Sequence, residues 1–211
     1  MTPSSPRDRF QVDDVVDIER PTPSPEPLAG GDSGPVPVRI QPMGPSDLAQ
    51  VQEIEDEAFG KTAWSAAQWS EELAQSGEHE RRCYVVLQTV DEPCRTLGYA
   101  GVWDTGGDAD ILTLAVGSQG RGQGWGAALL QHLVEQAHQW RCRALLLEVA
   151  QTNEAASSLY KSFGFDVLAT RRHYYGPDRH ALTMRRQLRL PMGSQPFGGD
   201  PEPSEGAHGE A

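Results

Sequence analysis

Apolar and polar residues follow two periods along the chain, and these periods predict where strands and helices lie. Short apolar runs bounded by turn residues predict strands, and apolar residues spaced three or four apart predict amphipathic helices. Between residues 38 and 190 the predicted order is one strand, two helices, three strands, a helix, a strand, a helix and two final strands. Short turns join the three middle strands, which favours antiparallel pairing, whereas the continuous apolar run at residues 144–149 is typical of a buried parallel strand. The pattern therefore predicts an α/β domain with a mixed central sheet of about seven strands and four helices.

Polar residues and glycines mark the ends of the predicted helices. Ser65 and Asn153 are expected to cap the second and fourth helices, because their side chains accept hydrogen bonds from first-turn amides. Gly164 is expected to end the fourth helix.

Both ends of the chain lack apolar periodicity and are rich in Pro, Ser, Gly and acidic residues. Segments of this composition bury too little apolar surface to fold. We therefore expect a disordered N-terminal extension at residues 1–37, a folded domain at 38–190 and a disordered acidic tail at 191–211. Of the net charge of −12, residues 1–38 and 191–211 carry −4 each.

Charge and composition limit the classes of partner. The acidic balance disfavours the backbone of a nucleic acid, no apolar run approaches the roughly 20 residues of a membrane span, and the first residues lack the apolar segment of a signal peptide. Cys83, Cys94 and Cys142 have no C-x-x-C spacing, so free thiols in a reducing cytosol and no metal site are expected. The expectation is a cytoplasmic protein that is a monomer or a weak dimer.

A glycine-rich turn between a predicted strand and a predicted helix is the most informative stretch of the chain. The apolar run 111–116 is followed by five glycines within ten residues and then by a helical pattern. Backbone N–H groups at a helix N-terminus favour an anion, and glycines let the backbone approach it closely because no Cβ intervenes. We therefore expect a phosphate-bearing ligand at this turn.

Two nucleotide-binding motifs compete for the same turn. A P-loop needs a Gly-Lys-Ser/Thr sequence, and no lysine lies between Lys61 and Lys161, which excludes it. Residues 122–127 fit the dinucleotide fingerprint G-x-G-x-x-A, with Glu148 where the ribose-binding acid is expected. That fold needs further parallel strand–helix units, whereas one helix and a hairpin remain here, so the fingerprint is the disfavoured alternative.

The turn also resembles the signature of an enzyme family. Residues 121–126, RGQGWG, fit the R/Q-x-x-G-x-G/A signature of the GCN5-related N-acetyltransferases (GNATs), and the predicted element order is similar to that family from about residue 38 to 188. In that family the amides of the turn hold the pyrophosphate of acetyl-CoA. The resemblance implies a GNAT fold and an N-acetyltransferase that uses acetyl-CoA as co-substrate and needs no metal.

Three further segments are similar to the RimI type of this family. They are LEVAQTNEAA at residues 147–156, LYKSFGF at 159–165 and RHYY at 172–175, although Ala150 stands where that type often has arginine. RimI-type enzymes acetylate the N-terminal alanine of small-subunit ribosomal protein number eighteen. The resemblance implies that the acceptor is the N-terminal α-amine of a protein, with this ribosomal protein as the expected partner.

The resemblance assigns the chemistry to two side chains. Glu148 occupies the position of the catalytic glutamate, a base that takes a proton from the amine directly or through a water. Tyr160 occupies the position of a tyrosine beside the thioester sulfur, an acid for the departing thiolate. Without the resemblance, Glu148 is more simply a strand-end carboxylate in water and Tyr160 a packed aromatic residue.

The resemblance also implies the contacts with acetyl-CoA. Amides of the strand before the turn, at Leu114, Ala115 or Val116, would stabilise the oxyanion. Asn153 lies two helical turns before Tyr160 and on the same face, so it can bond the pantetheine arm, cap its helix, or do both. The residues expected to bind the co-substrate are Leu114, Val116, Arg121, Gly122, Gln123, Gly124, Trp125, Gly126 and Asn153.

The acceptor groove is expected between residues 59–64 and the last hairpin loop, 174–179. Trp64, Tyr174 and Tyr175 are its candidate substrate-binding residues, although the two tyrosines could equally pack on the core. Residues 55–57, EDE, could attract a basic peptide, but a solvated helix face is the simpler interpretation. Residues 171–172, two arginines, are expected to be exposed strand positions.

Two other functions fit the same sequence. A GNAT enzyme could act on another protein N-terminus, a lysine or a small amine, for which a closed pocket would replace an open groove. A non-catalytic module could bind acyl-CoA without transferring the acyl group. The presence of both Glu148 and Tyr160 disfavours this last alternative.

Overall fold

A single seven-stranded sheet forms the centre of the domain. The computed structural model describes residues 37–189 except 78, 92, 175–177 and 179. The strands are β1 (Val38–Pro42), β2 (Arg82–Thr89), β3 (Thr96–Asp104), β4 (Ala109–Val116), β5 (Ala144–Ala150), β6 (Asp166–Arg171) and β7 (Ala181–Gln187), and the helices are α1 (Leu48–Phe59), α2 (Ala66–Ala74), α3 (Trp125–Gln139) and α4 (Glu154–Ser162). The strand order across the sheet is β1-β2-β3-β4-β5-β7-β6. The predicted fold class and the predicted order of elements are therefore confirmed.

The pairing between β4 and β5 is the feature of the sheet that matters for function. Strands β1 to β4 pair antiparallel in sequence order, and β7 pairs antiparallel with both β5 and β6. Strands β4 and β5 are parallel, but within the described chain their register covers only Ala109–Leu145 and Asp110–Leu146. A bulge at Leu112, where the register with β3 shifts, lies two residues beyond the end of this short ladder. The C-terminal halves of β4 and β5 are thus unpaired with each other, which opens the sheet there.

Helices cover both faces of the sheet and create two apolar cores. One core joins α3 and α4 to the sheet and includes Leu129, Leu133 and Leu159. The other joins α1 and α2 to the opposite face and includes Ile54 and Trp69. Both cores remove apolar side chains from water, which is the dominant favourable contribution to folding. Among the described helices, none combines the length and the apolar character that a bilayer span requires.

Two polar caps and a glycine mark the starts and the end of helices where the sequence predicts them. The amide of Gln68 donates a 3.3 Å hydrogen bond to Oγ of Ser65 at the start of α2. The amide of Ala156 donates a 3.0 Å hydrogen bond to Oδ1 of Asn153 at the start of α4. Gly164, with φ +78°, follows the end of α4. These two caps and this terminus are confirmed.

Candidate active site

The glycine turn forms an open cradle between β4 and α3. A short 3-10 turn at Ser118–Gly120 follows β4, and Gly122 and Gly124 then adopt left-handed backbone with φ +72° and +79°. A Cβ built on either glycine would meet no atom of the described chain within 4 Å. The first amides of α3 have no intrahelical partner because of their position in the helix. Unhindered backbone beside amides that have no intrahelical partner fits the pyrophosphate of acetyl-CoA.

Other residues of the turn fix its position against the rest of the domain. Nη2 of Arg121 lies 2.8 Å from Oε1 of Glu57 on α1, and Nε donates a 3.3 Å hydrogen bond to the Val116 carbonyl. The Ser118 amide donates a 3.2 Å hydrogen bond to Oε2 of the same Glu57. The Arg121 side chain therefore joins the turn to β4 and α1. Only the backbone of Arg121 is left beside the cradle.

The remaining residues expected around acetyl-CoA differ in their environment. Nε2 of Gln123 donates a 3.2 Å hydrogen bond to the Gln119 carbonyl. The Trp125 ring packs against the core beneath α3 and α4, and its Nε1 is buried without a hydrogen-bond partner among the described residues. Gly126 is buried in the first turn of α3. On β4, Val116 is buried and Leu114 is half-buried.

Glu148 lies on β5 at the edge of the sheet opening. Its side chain is 12% exposed, and Oε1 lies 2.7 Å from Nη1 of Arg171 on β6. Its second oxygen, Oε2, is buried and has no hydrogen-bond partner in the described part of the chain. The Arg171 guanidinium lies 3.9 Å from the centre of the Tyr174 ring. Glu148, Arg171 and Tyr174 therefore form one connected cluster.

Helix α4 presents a second group of polar side chains from the other face of the sheet. Asn153, Ser157 and Tyr160 follow one another at helical spacing on the buried side of α4, and Tyr160 is 3% exposed. The Tyr160 ring centre lies 5.8 Å from that of Phe165. Burial raises the pKa of the Tyr160 phenol above its ordinary value. The Ser157 hydroxyl is buried without a hydrogen-bond partner among the residues that the structure describes.

Strand alternation places Glu148 and Tyr160 on opposite faces of the sheet. Leu147 and Val149, which flank Glu148 on β5, belong to the same core as Tyr160. Because successive side chains of a strand alternate, Glu148 points to the other face. The unpaired halves of β4 and β5 lie between these two faces. A thioester inserted in this opening would have a carboxylate on one side and a phenol on the other.

The predicted acceptor-side residues lie in different environments. The Trp64 ring is 8% exposed and packs edge-on at 4.8 Å from Trp69. Glu55 is fully buried, with Oε1 accepting a 2.9 Å hydrogen bond from the Trp64 amide and Oε2 accepting one from the Tyr99 hydroxyl. Tyr174 is half-buried and Tyr175 lies outside the described residues.

Of the two expectations about charged residues, one is wrong and the other is incomplete. Residues 55–57 are not simply a solvated helix face, because Glu55 is an internal anchor for the loop after α1 and Glu57 holds the glycine turn. Arg171 is an exposed strand position at the end of β6, as expected, with a side chain that is 46% exposed, and it also pairs with Glu148. Sequence reasoning missed this pair because β7 lies between β5 and β6 in the sheet, an order that sequence proximity does not indicate.

No metal site is visible in the described residues, which contain no group of three His, Cys, Asp or Glu side chains arranged to hold an ion. The three cysteines are free. Burial raises the pKa of the Cys142 thiol to about 12. This thiol is therefore not a reactive nucleophile near neutral pH.

Comparisons with known proteins give a consistent result. A sequence model of the acetyltransferase (GNAT) family matches residues 48–165. The chain is 34% identical over 158 residues to the N-alpha-acetyltransferase RimI of Mycobacterium tuberculosis, covering 71% of this chain and 92% of that protein. It is 35% identical over 159 residues to an uncharacterised protein of Mycobacterium leprae, covering 72% of this chain and 41% of that protein, so the chain spans less than half of that relative.

A solved structure supports the same relationship. The crystal structure of the ribosomal-protein-S18-alanine N-acetyltransferase from Escherichia coli superposes with a TM-score of 0.65 and 26% sequence identity. The similarity covers 76% of this chain and 99% of that one. The described domain therefore has the same fold as that enzyme over nearly the whole length of the Escherichia coli chain.

Proposed function

Because the chain belongs to the GNAT family of acetyl-CoA-dependent N-acetyltransferases, we propose that it acetylates the N-terminal α-amine of a protein. The acceptor that we propose is the N-terminal alanine of small-subunit ribosomal protein number eighteen, hereafter bS18. Support comes from two similar proteins, one named as an N-alpha-acetyltransferase and the other as a ribosomal-protein-S18-alanine N-acetyltransferase. The observation that carries the mechanism is Oε2 of Glu148, which is buried at the opening between β4 and β5 and has no hydrogen-bond partner among the described residues.

In the proposed binding mode, acetyl-CoA lies along the opening of the sheet. Its pyrophosphate occupies the cradle at Gly122 and Gly124, where left-handed glycines leave space for the anion. Its pantetheine arm runs towards α4, where Asn153 uses Oδ1 as a helix cap. The amide nitrogen of Asn153 is then the group that bonds the arm.

Glu148 is the proposed general base. The α-ammonium group of the acceptor loses one proton to Oε2 of Glu148, directly or through a water. The nitrogen lone pair then attacks the carbonyl carbon of the thioester, and a C–N bond forms while the carbonyl electron pair moves onto oxygen. Amides of residues 114–116 on β4 are the proposed donors to this oxyanion, since this part of β4 has no ladder with β5 in the described chain.

Tyr160 is the proposed general acid. As the electron pair returns from the oxyanion, the C–S bond breaks and the thiolate takes the phenolic proton. The nitrogen of the new amide still carries one extra proton, and this proton reaches the Tyr160 phenolate through solvent and restores the phenol. Glu148 releases the proton that it took from the ammonium group to solvent before the next turnover. The net reaction releases one proton with coenzyme A and the acetylated N-terminus.

An acceptor assay tests the proposal. The full chain is incubated with labelled acetyl-CoA and unacetylated bS18, together with a peptide that has an internal lysine and a blocked N-terminus, and with a polyamine. We expect the label on the α-amine of bS18 only, which mass spectrometry of the N-terminal peptide of bS18 would show. Labelling of the lysine or the polyamine, with none on bS18, would exclude the proposed acceptor.

The Glu148→Gln variant tests the proposed base. Glutamine keeps the size of the side chain but does not accept a proton, so kcat should fall by about 10²–10⁴-fold while the Kd for acetyl-CoA stays unchanged. Glu135→Gln, on the exposed side of α3, is the matched control and should match the wild type. Full activity of Glu148→Gln would remove this residue from the mechanism.

A further inference from the structure

The two oxygens of the Glu148 carboxylate have different environments. Oε1 is bound by Nη1 of Arg171 at 2.7 Å, whereas Oε2 is buried and has no partner among the described residues. A carboxylate oxygen removed from water without a donor is costly. Arg171 therefore occupies one oxygen and leaves the other as the point where an amine, or a water bound to it, completes the site.

The guanidinium is itself held in place on its second side. It lies 3.9 Å from the centre of the Tyr174 ring, within the range of a cation–π contact. Tyr174 lies in the hairpin loop, three residues after Arg171 at the end of β6. The ring and the carboxylate together restrict the Arg171 side chain, although its exposed fraction is 46%.

The sheet explains why the cation comes from β6. On β7, Thr183 is the register partner of both Glu148 and Ala169, and Arg171 is two residues beyond Ala169 and thus on the same face. Ala150, two residues beyond Glu148 on β5, has no charge to offer. Arg171 is the one cation that the described chain pairs with Glu148.

We propose that Arg171 is a positioning residue, which fixes the Glu148 carboxylate through Oε1 so that Oε2 faces the acceptor amine. This inference rests on the proposed role of Glu148 as the base. Arg171 acts through the carboxylate and does not bind acetyl-CoA. Its removal leaves the carboxylate free to rotate and to be solvated, so productive alignment with the amine is lost.

The test compares Arg171→Ala and Arg171→Lys with the wild type, with bS18 as the acceptor. A loss of alignment of this kind costs about 10- to 100-fold, so kcat of Arg171→Ala should fall by that factor while the variant stays folded and its Kd for acetyl-CoA is unchanged. Arg171→Lys should recover part of the loss, because lysine restores the charge but not the planar fork. Millimolar guanidinium ion added to Arg171→Ala should also restore activity.

Arg143→Ala is the matched control. Nε of Arg143 lies 3.3 Å from Oδ1 of Asp108, just before the other end of β5, so this variant removes an arginine–carboxylate pair away from the opening. Its kcat should equal that of the wild type. An equal loss of kcat in Arg143→Ala and Arg171→Ala would overturn the positioning role.

A double variant separates this inference from the proposed base. If Arg171 acts through Glu148, Arg171→Ala should cause no further loss in a Glu148→Gln background. Wild-type kcat for Arg171→Ala, or a loss that multiplies with that of Glu148→Gln, would overturn the positioning role and leave the base in place. Wild-type kcat for Glu148→Gln would overturn both.

Discussion

Tyr160 illustrates how the environment of one residue suits it to one step. The ring is 3% exposed, and burial raises the pKa of its phenol above the ordinary value. The phenol therefore carries its proton throughout the neutral range and can donate it to a departing thiolate, although the raised pKa makes it a weaker acid than a free tyrosine. The same burial makes folding stability sensitive to alkaline pH, because only the neutral phenol is favoured in the folded state.

We predict that Tyr160→Phe lowers kcat by about 10²–10⁴-fold and leaves the Kd for acetyl-CoA unchanged. Above pH 10, the ordinary pKa of tyrosine, the unfolded wild type loses this proton while the folded state keeps it, so its stability falls as pH rises. Phenylalanine has no proton to lose, so the variant is free of this effect. Between pH 9 and 11 the melting temperature of the wild type should therefore fall relative to that of the variant. Wild-type kcat for Tyr160→Phe would contradict the acid role.

Single residues could be predicted from the sequence where a local pattern marks them. Ser65 and Asn153 cap their helices as expected because a cap depends on the next three residues. Glu55 and Arg171 could not be predicted, because their partners are distant in sequence. Tyr99 contacts Glu55 from β3, and Arg171 meets Glu148 across an intervening strand.

At the scale of elements, the glycine turn is the part that the sequence predicts best. Its strand, its left-handed glycines and its helix are adjacent in sequence, so the local pattern contains the whole motif. The opening of the sheet is different. The apolar run of β5 predicts a buried strand, but not that its ladder with β4 covers two residue pairs while its ladder with β7 covers seven.

We predict that Gly124→Val abolishes binding of acetyl-CoA, as measured by calorimetry. The new side chain would occupy the space in front of the turn, and a left-handed backbone disfavours a β-branched residue by about 1–2 kcal/mol. Gly106→Val controls for that strain, since Gly106 also has positive φ and open space but lies in the β3–β4 turn, at the other end of β4. It should lower the melting temperature without changing the Kd. Retained binding by Gly124→Val would exclude the cradle as the pyrophosphate site.

At the scale of the whole molecule, the named strands and helices all lie between Val38 and Gln187. Both cores, the glycine turn and the cluster around Glu148 are formed within this range. The domain boundaries at residues 38 and 190 nevertheless stay a prediction from composition. Apolar patterning predicts what can form a core, but it does not say what the flanking acidic segments do.

We predict that a chain of residues 38–190 folds and works like the full chain. It contains every described element, so its melting temperature should agree within about 2 °C, less than the shift that 1 kcal/mol produces in a domain of this size. Its kcat and its Kd for acetyl-CoA should also be unchanged. The removed segments carry two-thirds of the net charge of −12, so any change should be confined to association with a basic acceptor at low salt, where long-range attraction raises the association rate. Loss of cooperative melting would instead show that the flanking segments belong to the folded unit.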